Sequence, residues 1–360
     1  MIDKEKITPG WVESVSRQSR NADKILVEKV IRALLLLEGL VKQKLFFVFK
    51  GGTAVMLHLK SARRLSIDLD IILPERPEDL DEILARVATV QGFLRKEEQK
   101  RNTEINIDKR HYKFFYNPVH ISRKEEESIL LDIHFEKILY ARIEEVNIQS
   151  SFLPEIGPPL TVKTPCIEDI TGDKLTAFAP KTTGIPYYKR EDSMSMEIIK
   201  QLYDLGNLFD HVSDMTIVKS TYETIAKTEM EYRRLNDLTV QDVLDDTFQT
   251  ALCIATRGKY GNGRFEELKN GIKRVSRYVF SENYHLEKAI THASKVAYLA
   301  TLIQKDAGKI ERFTDPLSMK DWIISDLQYT WLNKLKKSNP EAFFHWYKIF
   351  TLLNPIKYGY

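Results

Sequence analysis

KGGTAVMLHLKSARRLSIDLDI, Lys50 to Ile71, decides how this chain reads. It continues LFFVFK, Leu45 to Lys50, a short apolar β-rich run that Gly51-Gly52 ends abruptly. TAVMLHLK then reads as a helix. A strand follows within Arg63 to Leu73, alternating through Ser66, Asp68 and Asp70 until Pro74 and Pro77 stop it. Glycine lets the backbone approach a ligand closely, and a helix start offers unpaired N–H groups. That geometry suits a phosphate. Residues two apart on a strand share a face, so Asp68 and Asp70 project together while Ile67, Leu69 and Ile71 face the core. Two neighbouring carboxylates repel each other, and a hard dication removes that cost. Mg2+ commonly takes one or two carboxylates plus substrate phosphates. A Gly-Gly pair alone is usually a turn, and an Asp-x-Asp alone is usually a solvated strand end. In this order and spacing they predict a phosphate cradle beside a metal-binding carboxylate pair.

Outward from this segment the chain is long and well stocked for a core. Its 360 residues suggest two or three domains at roughly 150 residues each, and 43% hydrophobic with 10% aromatic residues suffices to fill them. The 54 basic and 51 acidic residues leave a net charge of +3, which argues against disorder and against a histone-like coat for nucleic acid. No stretch approaches the roughly 20 apolar residues of a membrane helix. MIDKEKITPG has no apolar secretory core, and Cys166 and Cys253 make neither a disulfide framework nor a zinc cluster. A soluble cytoplasmic protein is expected.

Apolar spacing predicts a helix over Ala22 to Lys44 and another over Asp79 to Val90. Phe93 to Val162 is mostly strand-like, with the best strands at Phe114 to Tyr116 and Ile129 to Phe135 and a polar turn, ISRKEEES, between them. After Pro165 helices follow one another: Ile167–Phe178, Met194–Phe209, Met215–Ala226, Val240–Ala255, Phe265–Val275, Leu286–Gln304, Met319–Lys336 and Glu341–Leu353. A linker rich in Lys, Tyr, Gly and Pro interrupts them at Ala179 to Asp192. The expected architecture is an α/β domain over residues 1–163 and a helical domain over 164–360.

The segment resembles the nucleotidyltransferase superfamily of DNA polymerase β, whose signature is a Gly-Gly or Gly-Ser followed by Asp-x-Asp. More narrowly, Lys50, Gly51, Gly52, Thr53, Arg64, Ser66, Asp68 and Asp70 match the AbiEii/AbiGii toxin family, which includes the MenT proteins. That family carries a second motif, a Lys on one helix and an Asp in a K-D-x-x-D-L-like string on the next. Here IEDITGDKLTAF supplies Lys174, and IIKQLYDLGNL supplies Lys200, Asp204 and Leu205. Gln201 stands where many relatives carry the first Asp, which leaves Asp204 as the carboxylate of that string. The resemblance covers about residues 46–208.

The resemblance implies an α+β fold, a polymerase-β-like nucleotidyltransferase domain with a mixed sheet followed by a helical bundle. It implies NTP as substrate and Mg2+ (or Mn2+) as cofactor. Gly51, Gly52, Thr53 and Ser66 would hold the triphosphate, assisted by Lys174; Asp204 joins the catalytic set by family position. Asp68 and Asp70 would bind the metal, with a third carboxylate on a neighbouring strand. Asp132 in ILLDIHF is the best candidate for that third ligand, or for a general base, whereas His134 reads as structural. The implied protein is the toxin of a type IV-like toxin–antitoxin or phage-defence pair, with a cognate antitoxin and an RNA or tRNA 3′ end as acceptor. A small-molecule or protein hydroxyl is the alternative acceptor, and a non-catalytic NTP-binding module the alternative role.

Two basic stretches stand outside these motifs. Lys181 to Arg190 is basic and Tyr-rich. Thr256 to Phe280 holds Arg257, Lys259, Arg264, Lys269, Lys273, Arg274 and Arg277 against Glu266 and Glu267, interleaved with Tyr260, Phe265, Tyr278 and Phe280. Such a pattern suits an RNA backbone with unstacked bases; a solvated helix face over core aromatics is the simpler account and is slightly favoured. GKYGNG is no Walker motif, because no Gly-Lys-Ser/Thr follows.

Overall fold

The computed structural model describes residues 1–60, 63–99, 108–120 and 124–358. They divide into two units, residues 1–166 with 277–283 and residues 167–276 with 284–360. Residues 277–283 therefore return to the first unit, a return that a division into two contiguous segments does not contain. There Arg64 bridges Val279, and Leu65 N donates to Tyr278 O at 2.8 Å.

The first unit runs α1 (Pro9–Gln18), α2 (Lys24–Lys42), β1 (Val48–Lys50), α3 (Gly51–His58), β2 (Leu69–Ile72), α4 (Leu80–Gln91), β3 (Arg95–Glu98), β4 (Lys109–Tyr116), β5 (Glu127–His134), β6 (Ile143–Asn147) and β7 (Thr161–Pro165). Asp23 starts α2 by accepting the N–H groups of Ile25 and Leu26, which satisfies two of the helix's orphan donors. Strands β1–β5 form a mixed sheet in the order β1-β2-β5-β4-β3, with β2 and β5 parallel and the other pairs antiparallel. Alternation decides its two faces. Phe49, Leu69, Ile71, Tyr112, Phe114, Ile129, Leu131 and Ile133 point to one face and bury against the apolar sides of α2 and α4. The other face carries a small cluster of Val48, Ile72 and Tyr140. It also carries the polar residues of the candidate site. The turn read at ISRKEEES has its first three residues, 121–123, outside the described residues, as does 100–107 in the strand-like region. The strand read through Ser66 and Asp68 begins only at Leu69; both residues lie in the extended segment ahead of it.

The second unit is helical: α5 (Ile167–Ala177), a hairpin of β8 (Tyr188–Lys189) and β9 (Asp192–Ser193), α6 (Ser195–Leu208), α7 (Met215–Tyr232), α8 (Val240–Ala255), α9 (Phe265–Val275), α10 (Leu286–Gln304), α11 (Leu335–Ser338), α12 (Pro340–Leu353) and α13 (Pro355–Tyr358). Helix α10 is buried along nearly its whole length and packs on α6, α8 and α12. The expected helix over Met319–Lys336 is not formed. That stretch is irregular, with short 3-10 turns at Pro316–Met319 and Thr330–Lys334. Ile323 and Leu327 stay exposed, while Met319, Ile324, Leu332 and Leu335 are buried from this irregular path. The Asn333 side chain instead binds both the N–H and the carbonyl of Ile324, nine residues back, and donates locally to Thr330 O, and such local bonds compete with helix. No helix among the described residues is long and apolar enough to cross a membrane.

Candidate active site

Strand register brings the first unit's polar residues into one row. Lys50 stands opposite Asp70 across β1 and β2, Asp70 opposite Asp132 across β2 and β5, and Asp132 opposite His111 across β5 and β4. Directly paired residues point to the same side of a sheet. Lys50, Asp70, Asp132 and His111 therefore share the face turned away from the α2–α4 core. His111 Nδ1 lies 2.7 Å from Asp132 Oδ1, and because an ionised carboxylate only accepts, Nδ1 is the protonated ring nitrogen.

The glycines fit against this row. Gly51 has φ +83°, in the left-handed region, and a Cβ there would overlap Asp70 Oδ2. A Cβ on Gly52 would overlap Arg64 Nη2 and stand 2.7 Å from Ser66 Oγ. The turn between β1 and α3 thus brings its backbone close to the Asp70 carboxylate at Gly51, where the backbone also favours glycine, and close to a guanidinium and a hydroxyl at Gly52. Arg64 and Ser66 are both buried. Thr53 is fully buried, and its hydroxyl donates to the backbone carbonyl of Asp68 at 2.8 Å. It ties α3 to the acidic segment, while the Asp68 side chain remains exposed.

Beside the row, Glu136 lies 3.6 Å from Lys50 Nζ and 3.5 Å from His134 Nδ1. Burial, with the charges of Lys50 and Lys109, pushes the His134 imidazole down to about 4. Burial opposes ionisation of Glu136, yet the His134 hydrogen bond and the Lys50 charge bring it down to about 2. At neutral pH this corner holds a neutral imidazole and an anionic carboxylate next to Lys50.

In the second unit, Lys174 on α5 reaches two partners on α6. Its Nζ lies 2.9 Å from Asp204 Oδ2 and donates to Gln201 Oε1 at 3.0 Å. The pair is almost wholly buried, with side-chain exposures of 8% and 4%. Gln201, the departure from the family string, thus supplies a neutral acceptor where a second carboxylate would add charge.

The structure therefore groups Gly51, Gly52, Ser66, Asp70 and Asp132 with Lys50, Arg64 and His111, and it separately joins Lys174 to Asp204. His111 was missed by the sequence reading. Its only signal is its register against Asp132, which a single sequence does not display. Among the described residues no group of three or more His, Cys, Asp or Glu side chains stands in metal-holding geometry. The in-register carboxylates of Asp70 and Asp132, facing a glycine turn, nonetheless fit a Mg2+ that takes two carboxylates and completes its shell with phosphate oxygens and water.

A family model described as Nucleotidyl transferase AbiEii toxin, Type IV TA system, matches residues 35–269. Among solved structures, MenT4, a nucleotidyltransferase toxin of Mycobacterium tuberculosis H37Rv, is 12% identical. That match covers 92% of this chain and 98% of MenT4, with a TM-score of 0.45. JHP933 of Helicobacter pylori is 16% identical over 80% of this chain and 93% of its own, with a TM-score of 0.40. No curated protein matches.

Proposed function

The chain belongs to the AbiEii nucleotidyl transferase toxin family, and from that premise we propose that it transfers a nucleoside monophosphate from an NTP to the 3′ hydroxyl of an RNA, a tRNA foremost. It is a nucleotidyltransferase of a type IV toxin–antitoxin family, and that family implies an antitoxin partner. The acceptor and the metal belong to the proposal.

One observation carries it: the Lys50–Asp70–Asp132 row abuts a double-glycine turn in which a Cβ would overlap Asp70 at Gly51 and Arg64 and Ser66 at Gly52. The α3 N-terminus and Ser66 would hold the triphosphate, with Arg64 pairing a phosphate oxygen in the planar geometry its guanidinium favours. Asp70 and Asp132, with Asp68 from the preceding segment, would hold the divalent cation. When bound, the cation neutralises phosphate charge and favours departure of pyrophosphate. The acceptor oxygen forms a bond to the α-phosphorus, the α–β phosphoanhydride bond breaks with its electron pair leaving on pyrophosphate, and the hydroxyl proton passes to solvent. The protein's share is positioning and charge placement. Lys174, held by Asp204, would add a positive charge for the triphosphate.

The test is incubation of the purified protein with Mg2+, each α-labelled NTP and total cellular RNA, beside Asp70→Asn. Label on a tRNA-sized band that the variant lacks supports the reading and names the nucleotide. Mg2+-dependent NTP binding without labelled RNA moves the acceptor to a protein or small-molecule hydroxyl.

A further inference from the structure

Two basic stretches that stand apart in the sequence meet in the second unit. Residues 181–194 are an ordered segment closed by the β8–β9 hairpin, with Arg190 at its tip at φ +56°. The hairpin is fastened to α9 and the residue before it. Glu267 accepts from Tyr188 OH at 2.5 Å and from Ser193 Oγ at 2.9 Å. Arg274 Nη1 donates to Ser193 O at 3.4 Å, and Arg264 N donates to Tyr187 OH at 3.1 Å. The Arg264 guanidinium lies 5.6 Å from the centre of the Tyr188 ring, which stays 41% exposed.

Arg274, through Ser193 O, and Arg264, over the Tyr187 and Tyr188 rings, also serve the fold, and Lys189, Arg190 and Lys273 make no such side-chain contact among the described residues. Lys189, Arg190, Arg264, Lys273 and Arg274 are all exposed, and none forms a salt bridge among the described residues. The central carboxylate, Glu267, spends its hydrogen bonds on two hydroxyls and so fastens the hairpin. What remains outward is a stiff platform, α9 being about 16 Å long, where these guanidinium and ammonium groups surround an accessible tyrosine ring; exposed Glu191, Asp192 and Glu266 share it, with Asp192 directly opposite Lys189 in the hairpin. Arginine matches phosphate oxygens and stacks on aromatic planes. A basic track with aromatic stacking positions is how single-stranded nucleic acid is held without sequence reading.

We propose that the β8–β9 hairpin and the exposed face of α9 bind the phosphate backbone of the acceptor RNA, with Tyr188 offering its ring to an unpaired base. This rests on the RNA reading of the preceding subsection and locates the acceptor surface for it. An acidic protein surface is the competing ligand.

The experiment is fluorescence anisotropy of the full chain with labelled tRNA over a range of salt concentrations, with labelled poly-glutamate as a second probe and a fluorescent NTP as a third. The test variant is Lys189→Glu/Arg190→Glu/Lys273→Glu, at exposed positions that thermal melting checks for folding. The expected result is a loss of at least about tenfold in tRNA affinity, with NTP binding unchanged. The slope of log affinity against log salt should fall by about 0.7 for each phosphate that the variant no longer neutralises. Tyr188→Leu should weaken tRNA binding and leave the salt slope alone, which separates stacking from charge. Wild-type protein that binds no tRNA overturns the RNA reading itself. Wild-type protein that binds tRNA while the triple variant binds it equally, with an equal slope, overturns only this surface. Poly-glutamate bound as tightly as tRNA, and lost in the same variant, overturns RNA in favour of an acidic protein.

Discussion

His111 donates its Nδ1–H to Asp132 Oδ1 at 2.7 Å, from a position directly opposite on the neighbouring strand. The bond fixes the rotation of the carboxylate, so that in the proposed site its second oxygen would be the one to meet the cation. Partners of this kind set the orientation and basicity of a metal ligand, and their loss typically weakens metal binding by about 10- to 100-fold. His111→Phe should therefore weaken Mn2+ binding by that factor, read by electron paramagnetic resonance in the presence of a non-hydrolysable NTP. His111→Asn, whose amide keeps a donor near the Nδ1 position, should bind Mn2+ within about threefold of wild type, a smaller loss than that range. Equal affinity in the Phe variant would show that Asp132 needs no partner.

Gly51 and Gly52 should fail in different ways. At Gly51 a side chain meets both a left-handed backbone, at about 1–2 kcal/mol for an L-residue, and the Asp70 carboxylate. Gly51→Ala should lower the melting temperature and abolish transfer, because Asp70 must move. At Gly52 the backbone imposes no such strain, and the overlap is with Arg64 and Ser66. Gly52→Ala should mainly raise KM for NTP. Steady-state kinetics with thermal melts on both variants check this. A Gly51→Ala enzyme with normal kcat would mean that Asp70 is not needed where it stands.

What the sequence disclosed follows from how local each signal is. Helices 240–255, 265–275 and 286–304 match their expected bounds because each has an amphipathic or buried stripe and an identifiable start. Thr239 and Asp242 even close a reciprocal capping box at the first of them. The Gly-Gly and Asp-x-Asp elements were legible because their chemistry is written in spacing along the chain. The Met319–Lys336 helix was misread because Met319, Ile324, Leu332 and Leu335 reach the core from an irregular path rather than from a helix, and tertiary contacts are not local information. His111 was invisible for the same reason, since its meaning depends on the register between β4 and β5.

The Lys174–Asp204 pair separates a structural contribution from a catalytic one. Both side chains are buried, so removing one partner strands a charge at about 3–5 kcal/mol. Lys174→Met and Asp204→Leu should each be strongly destabilised. The double variant, with neither charge left, should recover much of the stability. If Lys174 serves the triphosphate, the recovered double variant still fails to transfer nucleotide. Urea denaturation beside the labelled-NTP assay reads both properties. A double variant that is both stable and active would make the pair purely structural.

His345 should make the second unit sensitive to mild acid. It is fully buried among Phe209, Tyr298 and Phe344. Its Nδ1 lies 3.2 Å from Ser294 Oγ, and its Nε2 has no hydrogen-bond partner among the described residues. Burial, with Lys295 and Arg312 nearby, holds the imidazole well below its ordinary range. The unfolded chain takes up a proton near pH 6.5 that the native state refuses, so the unfolded state binds more protons below that pH and stability falls as pH falls. The loss is about 1.4 kcal/mol per pH unit until the native histidine itself titrates. His134, also pushed down, adds to the wild-type loss with the same sign. The difference between wild type and His345→Phe therefore isolates His345. Urea denaturation at pH 7 and pH 5.5 should show the variant losing about 1.4 kcal/mol less than wild type. An equal loss in both would mean that the native His345 takes up its proton as readily as the unfolded chain does.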